Sequence, residues 1–280
     1  MPFSLNIRGH LHTFGRPAVM GIINATPDSY HAASRAQCRA EVQRMAETHV
    51  REGADIIDVG ACSTRPGSEA PDAAEEWCRL EPALRAVREA VGYAVPVSAD
   101  TYRAEVARRA VESGLADIVN DIGGGSLDRD MFATVAALRV PYILMHMRGT
   151  PADMHTHCRY ADVVADVITE LAARLDTLTL MGVADVIVDP GFGFAKTLEQ
   201  NYKLLDALAT VGNALGRPVL AGMSRKSMAT RLLGISAAEA LPATVALNTI
   251  ALMRGASILR VHDVAPAVQA VEIHQALKNA

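Results

Sequence analysis

Aromatic residues are scarce in this 280-residue chain: Trp, Tyr and Phe together make up 4% of it, against a hydrophobic fraction of 50%. A core so poor in rings is aliphatic, the Val, Ile, Leu and Ala filling of parallel strands and their covering helices. Cysteine is also sparse. Cys38, Cys62, Cys78 and Cys158 stand at none of the short spacings that hold a metal, so they read as reduced thiols of a cytoplasmic protein. Neither sign of charge dominates: 27 basic against 31 acidic residues give a net −4, which excludes a general field for nucleic acid or an anionic membrane. The longest charge-free helical run, 243–253, carries Thr244, Asn248 and Thr249 and is too short to span a bilayer. Residues 1–20 contain Arg8, His10, His12 and Arg16 and lack the apolar centre of a signal peptide. No G-x-G-x-x-G follows an early strand and no phosphate-cradling loop is present, so dinucleotide and ATP chemistry are not expected.

What is present is alternation. Leu5, Ile7, Leu11 and Thr13 flank Gly9 and predict a short hairpin, placed to plug one end of a barrel. Strand-like runs follow at Ala18–Ile23, Asp55–Val59, Val95–Ala99, Asp117–Asn120, Tyr142–His146, 186–189, Pro218–Gly222 and Ser257–Val261. Helical spacing fills the intervals: 38–53, the face Trp77, Leu80, Leu84, Val87, Val91, then 104–114, a helix around Met131, Val135 and Leu138, and the stripe Val163 to Leu178. One helix over Leu198–Leu215, a helix and loop over Lys226–Met253, and a final helix from Ala265 complete the set. Eight such units within about 250 residues predict an α/β (β/α)8 TIM barrel, one domain over 1–280, whose active site lies at the carboxyl ends of the strands.

The stretch Val186–Thr197, VIVDPGFGFAKT, is the centre of that reading. A buried strand stops at Asp189 before Pro190 and Gly191, and a carboxylate at such a desolvated point needs a partner. The same grammar recurs at Asp58, Asp100, Asn120 with Asp121, His146, Lys226, and Arg260 with His262, all expected to point into one mouth. Asp100, Asn120, Asp189 and Lys226 combine acceptors, an amide and a cation, a set that suits the amidine-like edge of a pterin or guanine. Taken singly, each also fits a buried ion pair or a helix cap. Arg260 and His262 share a strand face by the two-residue alternation and, with Asn24 at the end of the first strand, form a cradle for a diphosphate. Asn24 is in addition an oxygen ligand suited to Mg2+. A salt bridge from Arg260 to Asp263 is the competing role. His155, His157 and Cys158 read as a solvated loop rather than a zinc site, and Cys62 as a packing residue rather than a nucleophile.

At this point the residues resemble the dihydropteroate synthase family, from about Val19 to Val271. GIINATPDSY, GADIIDVGACSTRPG, SADTYRAEVA, IVNDIGGG, LMHMRGTP, DPGFGFAKT, GMSRKS and RVHD follow in that family's order. The resemblance implies a transferase of folate biosynthesis that joins 7,8-dihydropterin-6-ylmethyl diphosphate to 4-aminobenzoate with Mg2+, a target of sulfonamides, and a homodimer formed through late helices. It further implies that Asp100, Asn120, Met145, Asp189, Gly222 and Lys226 hold the pterin. Asn24, Arg260 and His262 would hold the diphosphate, with Asn24 on the metal. Thr64, Arg65, Pro66, Phe194, Lys226 and Ser227 would receive aminobenzoate, and Lys226, Asp100, Arg260 and His262 would carry the catalysis.

Two departures from the family pattern stand out: Tyr30, His31 and Ala32 where it has Phe-x-Asp, and Ala61 and Cys62 where it has Gly-Glu. Both lie on loops expected to close over the second substrate, and His31 or Arg35 is the expected substitute for the lost contact. Two other readings compete. A methyltetrahydrofolate–corrinoid methyltransferase shares the pterin barrel but needs no diphosphate cradle, and a non-catalytic pterin-binding paralogue would need only the pterin half.

Overall fold

The computed structural model describes residues 2–25, 35–62 and 71–280, with the backbone alone for 35–38. Thr64, Arg65 and Pro66, and the departure at Tyr30–Ala32 with His31, lie outside the described residues; Arg35 opens a helix, and its side chain is not described.

The N-terminal hairpin forms as expected, β1 (Phe3–Ile7) against β2 (His10–Phe14). Eight parallel strands follow: β3 (Ala18–Asn24), β4 (Ile56–Gly60), β5 (Val97–Asp100), β6 (Ile118–Asp121), β7 (Tyr142–Met145), β8 (Val186–Asp189), β9 (Leu220–Ala221) and β10 (Ile258–Val261). They run in the order β8-β7-β6-β5-β4-β3-β10-β9, and a single parallel bridge, Val188 to Val219, draws the open ends together. Between them lie α1 (Arg35–Arg51), α2 (Ala73–Val91), α3 (Ala104–Glu112), α4 (Met131–Leu138), α5 (Val163–Leu180), α6 (Leu198–Asp206), α7 (Leu208–Leu215), α8 (Ser227–Leu233) and α9 (Leu241–Met253), and α10 (Val264–Asn279) closes the chain.

The alternation of side chains sorts each strand into two cores. Met20, Ile56, Ile118, Ile143, Ile187, Leu220 and Ile258 face inward and pack with Leu5, Ile7 and Phe14 of the hairpin, which closes the amino-terminal end. Their neighbours, among them Val19, Ile57, Val119, Leu144, Val188 and Leu259, face outward under the helices. Two residues beyond the inward apolar layer, the same rows reach Asp58, Asn120, Met145, Asp189, Gly222 and Arg260. The plug layer and the polar ring are thus successive floors of one barrel.

Local chemistry sets the helix ends. Asp162 caps α5 by accepting from the Val164 and Ala165 amides, and Thr197 and Gln200 form a capping box on α6. Two sequence expectations need correction. The helix drawn over 198–215 breaks at Ala207, whose backbone (φ −90°, ψ 12°) leaves the helical region without a Gly or Pro to signal it. The segment 226–253 is two helices, because Gly234 ends α8 in the left-handed region and Pro242 starts α9 at its first turn. Among the described residues no helix is long and apolar enough to cross a membrane.

Candidate active site

The polar ring divides into two groups. On one side Asp58, completely buried, accepts from Asn120 Nδ2 at 3.1 Å and from Arg260 Nε at 2.7 Å, both on Oδ2. Arg260 Nη2 reaches on to Asp100 Oδ2 at 2.6 Å. One guanidinium therefore spans two carboxylates, leaving Nη1 without a protein partner among the described residues. Close approach of β4 and β5 permits this. A Cβ on Gly60 would lie 3.2 Å from Asp100 Oδ2, so only glycine leaves the carboxylate its full room. Burial pushes the Asp100 carboxyl up to about 7; Arg260 opposes the shift and the charge of Asp58 adds to it. The competing ion pair with Asp263 does not form, since Asp263 is held by Arg225.

On the other side Asp189 and Lys226 flank the turn after β8. Asp189 Oδ1 accepts the Gly191 amide at 2.7 Å, and Lys226 Nζ donates to the Phe192 carbonyl at 2.9 Å while lying 4.7 Å from the centre of the Phe194 ring. Burial lowers the Lys226 ammonium to about 8 against the pull of Asp189, and raises the Asp189 carboxyl against the pull of Lys226. Gly222 joins the two sides: a Cβ there would stand 3.8 Å from Lys226 Nζ and 3.9 Å from the Arg260 Cβ. Met145, 3% exposed, packs with Phe194 in a small apolar cluster at the same level.

Lys226 is placed by its neighbour. Arg225 sits in the left-handed region at φ 54°, a conformation that costs a non-glycine residue about 1 kcal/mol. Its guanidinium holds both Asp263 oxygens at 2.8 and 2.9 Å and donates to the Ala237 and Ala238 carbonyls, and its amide donates to Thr244 Oγ1. The sequence reading had no role for Arg225. Ser227 follows as the first residue of α8.

At the rim Asn24 ends β3 with an exposed side chain. His262 is also exposed, yet the cleft walls and then the Arg260 charge hold its imidazole down to about 4. Ser224 Oγ accepts the His262 amide at 3.2 Å and lies 3.1 Å from Nδ1, so one hydroxyl orients both the backbone and the ring of His262. Lowered in this way, His262 offers the rim a ring nitrogen rather than a permanent charge. No group of three His, Cys, Asp or Glu able to hold a metal occurs among the described residues.

Three expectations at the strand ends are corrected. Asp121 faces away from the mouth and takes the Gly123 and Gly125 amides and the Tyr142 hydroxyl, fixing a glycine turn. His146 also turns outward and bonds to Glu170 and Lys196 behind the barrel. Asp58, seen in the sequence but given no role, is the hub of the first group. Cys62 lies 3.7 Å from the Tyr102 hydroxyl, and burial pushes its thiol up, which disfavours the thiolate a nucleophile needs.

Comparison with known proteins agrees with this layout. A dihydropteroate synthase of Synechocystis sp. is 40% identical over 265 residues, covering 94% of this chain and 90% of that protein. One from Streptococcus pyogenes serotype M1 is 42% identical over 254 residues, 89% of this chain and 91% of that one. The structure of Xanthomonas albilineans dihydropteroate synthase with 4-aminobenzoic acid superposes with a TM-score of 0.89 at 36% identity, covering 99% of this chain and 98% of that one. The same enzyme in complex with 7,8-dihydropteroate gives 0.87 at 35% identity, over 99% and 100% of the two chains. The model of the pterin binding enzyme family matches residues 20–262, and with these relatives it places the chain among the pterin binding enzymes, as a member of their dihydropteroate synthase group.

Proposed function

We propose that this chain condenses 7,8-dihydropterin-6-ylmethyl diphosphate with 4-aminobenzoate, releasing diphosphate and forming 7,8-dihydropteroate for folate biosynthesis. The observation that carries the reading is the two-sided pocket about Gly222, with Asp58, Asp100, Asn120 and Arg260 on one wall and Asp189 and Lys226 on the other. Asp100 and the free oxygen of Asp189 take the pterin N–H donors, Asn120 offers the amide oxygen that Asp58 leaves open, and Lys226 answers a ring acceptor. Met145 and Gly222 give the flat ring its slot.

The C–O bond to the diphosphate ionises, leaving a cation delocalised into the pterin. Asp100 favours that cation because Arg260 holds its carboxylate in place before any charge develops. Arg260 Nη1 and the His262 ring are the donors for the departing oxygens. The aniline nitrogen of aminobenzoate then attacks the methylene carbon and loses a proton. It is nucleophilic as the neutral amine, so no strong base is required. Phe194 and Ser227, with Thr64, Arg65 and Pro66 from the second loop, receive the aminobenzoate, and a sulfonamide of the same shape competes there.

Asn24 fits Mg2+, which takes few protein ligands and keeps water and phosphate oxygens, since it presents one exposed amide oxygen beside the anion cradle. Bound there with the substrate, Mg2+ would neutralise charge on the leaving diphosphate. The charge of the ring supports this, for three carboxylates against Arg260 and Lys226 leave it no net positive charge to offer a diphosphate. A homodimer is supported by exposed apolar side chains on the late helices, Leu232 and Leu233 on α8, Ile250 and Met253 on α9, and Ile273 and Leu277 on α10. The alternative methyltransferase reading leaves Arg260 Nη1, His262 and Asn24 without purpose.

The test is to mix the protein with dihydropterin diphosphate, 4-aminobenzoate and Mg2+ and to measure both products. Equal yields of diphosphate and dihydropteroate are expected. Neither product, with pterin still bound, would make the chain a non-catalytic pterin binder.

A further inference from the structure

Lys196 lies just beyond the pocket, 6% exposed, and its ammonium bonds to groups outside the ring. Its ammonium has three acceptors at hydrogen-bond distance: the Gly191 carbonyl at 3.1 Å, the Phe194 carbonyl at 3.1 Å and His146 Nδ1 at 3.0 Å. An ammonium has three donors, so the match is complete. His146 can accept on Nδ1 because burial keeps its imidazole neutral, lowered to about 4, with the ring proton on Nε2 facing Glu170 Oε2 at 3.1 Å. Glu170 Oε1 in turn takes Arg148 Nε at 2.9 Å. The chain runs from the outer face of the barrel, through the end of β7, to the turn 191–194.

That turn is strained and held from behind. Gly191 and Gly193 adopt φ 73° and 84°, and Ala195 stands at φ 50° with a side chain. A Cβ on Gly191 would fall 2.0 Å from the His146 carbonyl oxygen, so the backbone is pressed directly against β7. The turn carries the Phe192 carbonyl on which Lys226 rests and the Phe194 ring beneath it. The Asp189 backbone is fixed by the sheet, paired to Met145, while its Oδ1 takes the Gly191 amide of the turn.

We propose that Lys196 is a positioning residue for the aminobenzoate half of the reaction: backed by His146 and Glu170, it clamps the turn that sets Phe194 and the perch of Lys226. This rests on the condensation proposed above. Neutral Lys196 has only two N–H donors, and its lone pair would face an acceptor, so the clamp loosens when the ammonium loses its proton. Asp189 on β8, Glu170 on α5, Lys226 before α8, and Arg148 and His146 after β7 face it. Burial brings the ammonium down to about 7, with Asp189 opposing.

The experiment compares wild type with Lys196→Met, which keeps the stem and removes the donors. The KM for aminobenzoate, kcat, the affinity for dihydropterin diphosphate and the melting temperature are measured from pH 6 to 9. The expected result is an aminobenzoate KM at least tenfold higher at pH 6.5, a severalfold smaller loss of pterin affinity, kcat within threefold, and loss of that part of the expected wild-type rise in KM that begins near pH 7. Lys226 titrates in both proteins, so the difference between the two profiles belongs to Lys196. An unchanged KM in a folded variant would overturn the proposal, and so would a parallel loss of both substrates with a lower melting temperature. If Lys196→Met does not fold, Glu170→Gln at the solvent end must move the wild-type rise in KM to lower pH, and an unmoved profile overturns the proposal equally. Wild type that forms no dihydropteroate at all defeats the functional reading instead.

Discussion

Replacing Asp58 by Asn should move the pH at which the pocket takes up pterin, and in a direction opposite to that expected for simple damage. Among the described residues Asp58 accepts its two hydrogen bonds on Oδ2, and its other oxygen is buried with no partner. An asparagine oxygen can therefore keep both contacts while its NH2 occupies the vacant side. The bond to Arg260 falls from one between two charges to one with the guanidinium charge alone, a loss of about 1 kcal/mol. The larger effect is on Asp100, held at about 7 by burial with a contribution from the Asp58 charge. Two carboxylates on different nitrogens of one guanidinium lie roughly 6 Å apart, and at an effective dielectric of about 20 they repel by about 3 kcal/mol. Even if solvent at the mouth halves that value, removing the Asp58 charge lowers the Asp100 carboxyl by about one pKa unit. If ionised Asp100 is what grips the pterin, wild-type affinity at pH 6 should be about tenfold below its plateau at high pH and the variant only about twofold below its own. The assay is fluorescence titration with a pterin lacking the diphosphate, so that no phosphate group titrates. A midpoint that stays put or rises in Asp58→Asn would refute the reasoning.

Gly222→Ala should fold normally, since its new methyl meets nothing closer than 3.8 Å, yet it narrows the pterin slot. An unchanged melting temperature with at least tenfold weaker pterin binding is expected, and equal affinity would remove Gly222 from the site. Arg225→Ala frees the loop before Lys226 and strands Asp263; its ion pair is partly exposed, so about 1 kcal/mol of stability should be lost in denaturant titration, with a clearly larger effect on aminobenzoate KM. Fully buried His146 has its imidazole lowered from 6.5 to about 4, so the folded state resists a proton that the unfolded chain accepts. Its share of stability is complete above pH 6.5 and falls as pH drops toward 4, by up to about 3 kcal/mol, and calorimetry with His146→Asn should show a flatter profile over that window.

Much of this was legible from the alternation of apolar runs, because a parallel strand in a barrel buries both faces and ends at one common rim. The two-residue period alone assigns Asn120, Asp189 and Arg260 to the inside once Ile118, Ile187 and Ile258 are taken as core. The same rule, applied strictly, turns Asp121 and His146 outward, where they lie. What could not be read are partnerships across the barrel. Asp58 meets Arg260 at a separation of 202 residues, and no local pattern tells which of several inward carboxylates a guanidinium will choose. The break at Ala207 has no Gly or Pro to announce it. Lys196, a lone cation in an apolar stretch, acquires its meaning only when the turn folds back on β7.

The two cations of the ring are not equivalent, and the difference bears on the order of events. Arg260 is fully committed to Asp58 and Asp100, so its charge is already answered before a ligand enters, and burial makes releasing it costly. Lys226 rests on a carbonyl and an aromatic face and has no direct carboxylate partner among the described residues, so it has its charge to give. An incoming anion thus finds its free charge at Lys226 and oriented donors, but little net charge, at Arg260 and His262. Such a cradle holds a diphosphate weakly until the pterin is seated and relieves the carboxylates. On the proposed placement of aminobenzoate, over the turn that Lys226 completes, the pterin must then precede it. Product-inhibition kinetics check this: dihydropteroate should compete with the pterin substrate and not with aminobenzoate, and the reverse pattern would place the free charge elsewhere.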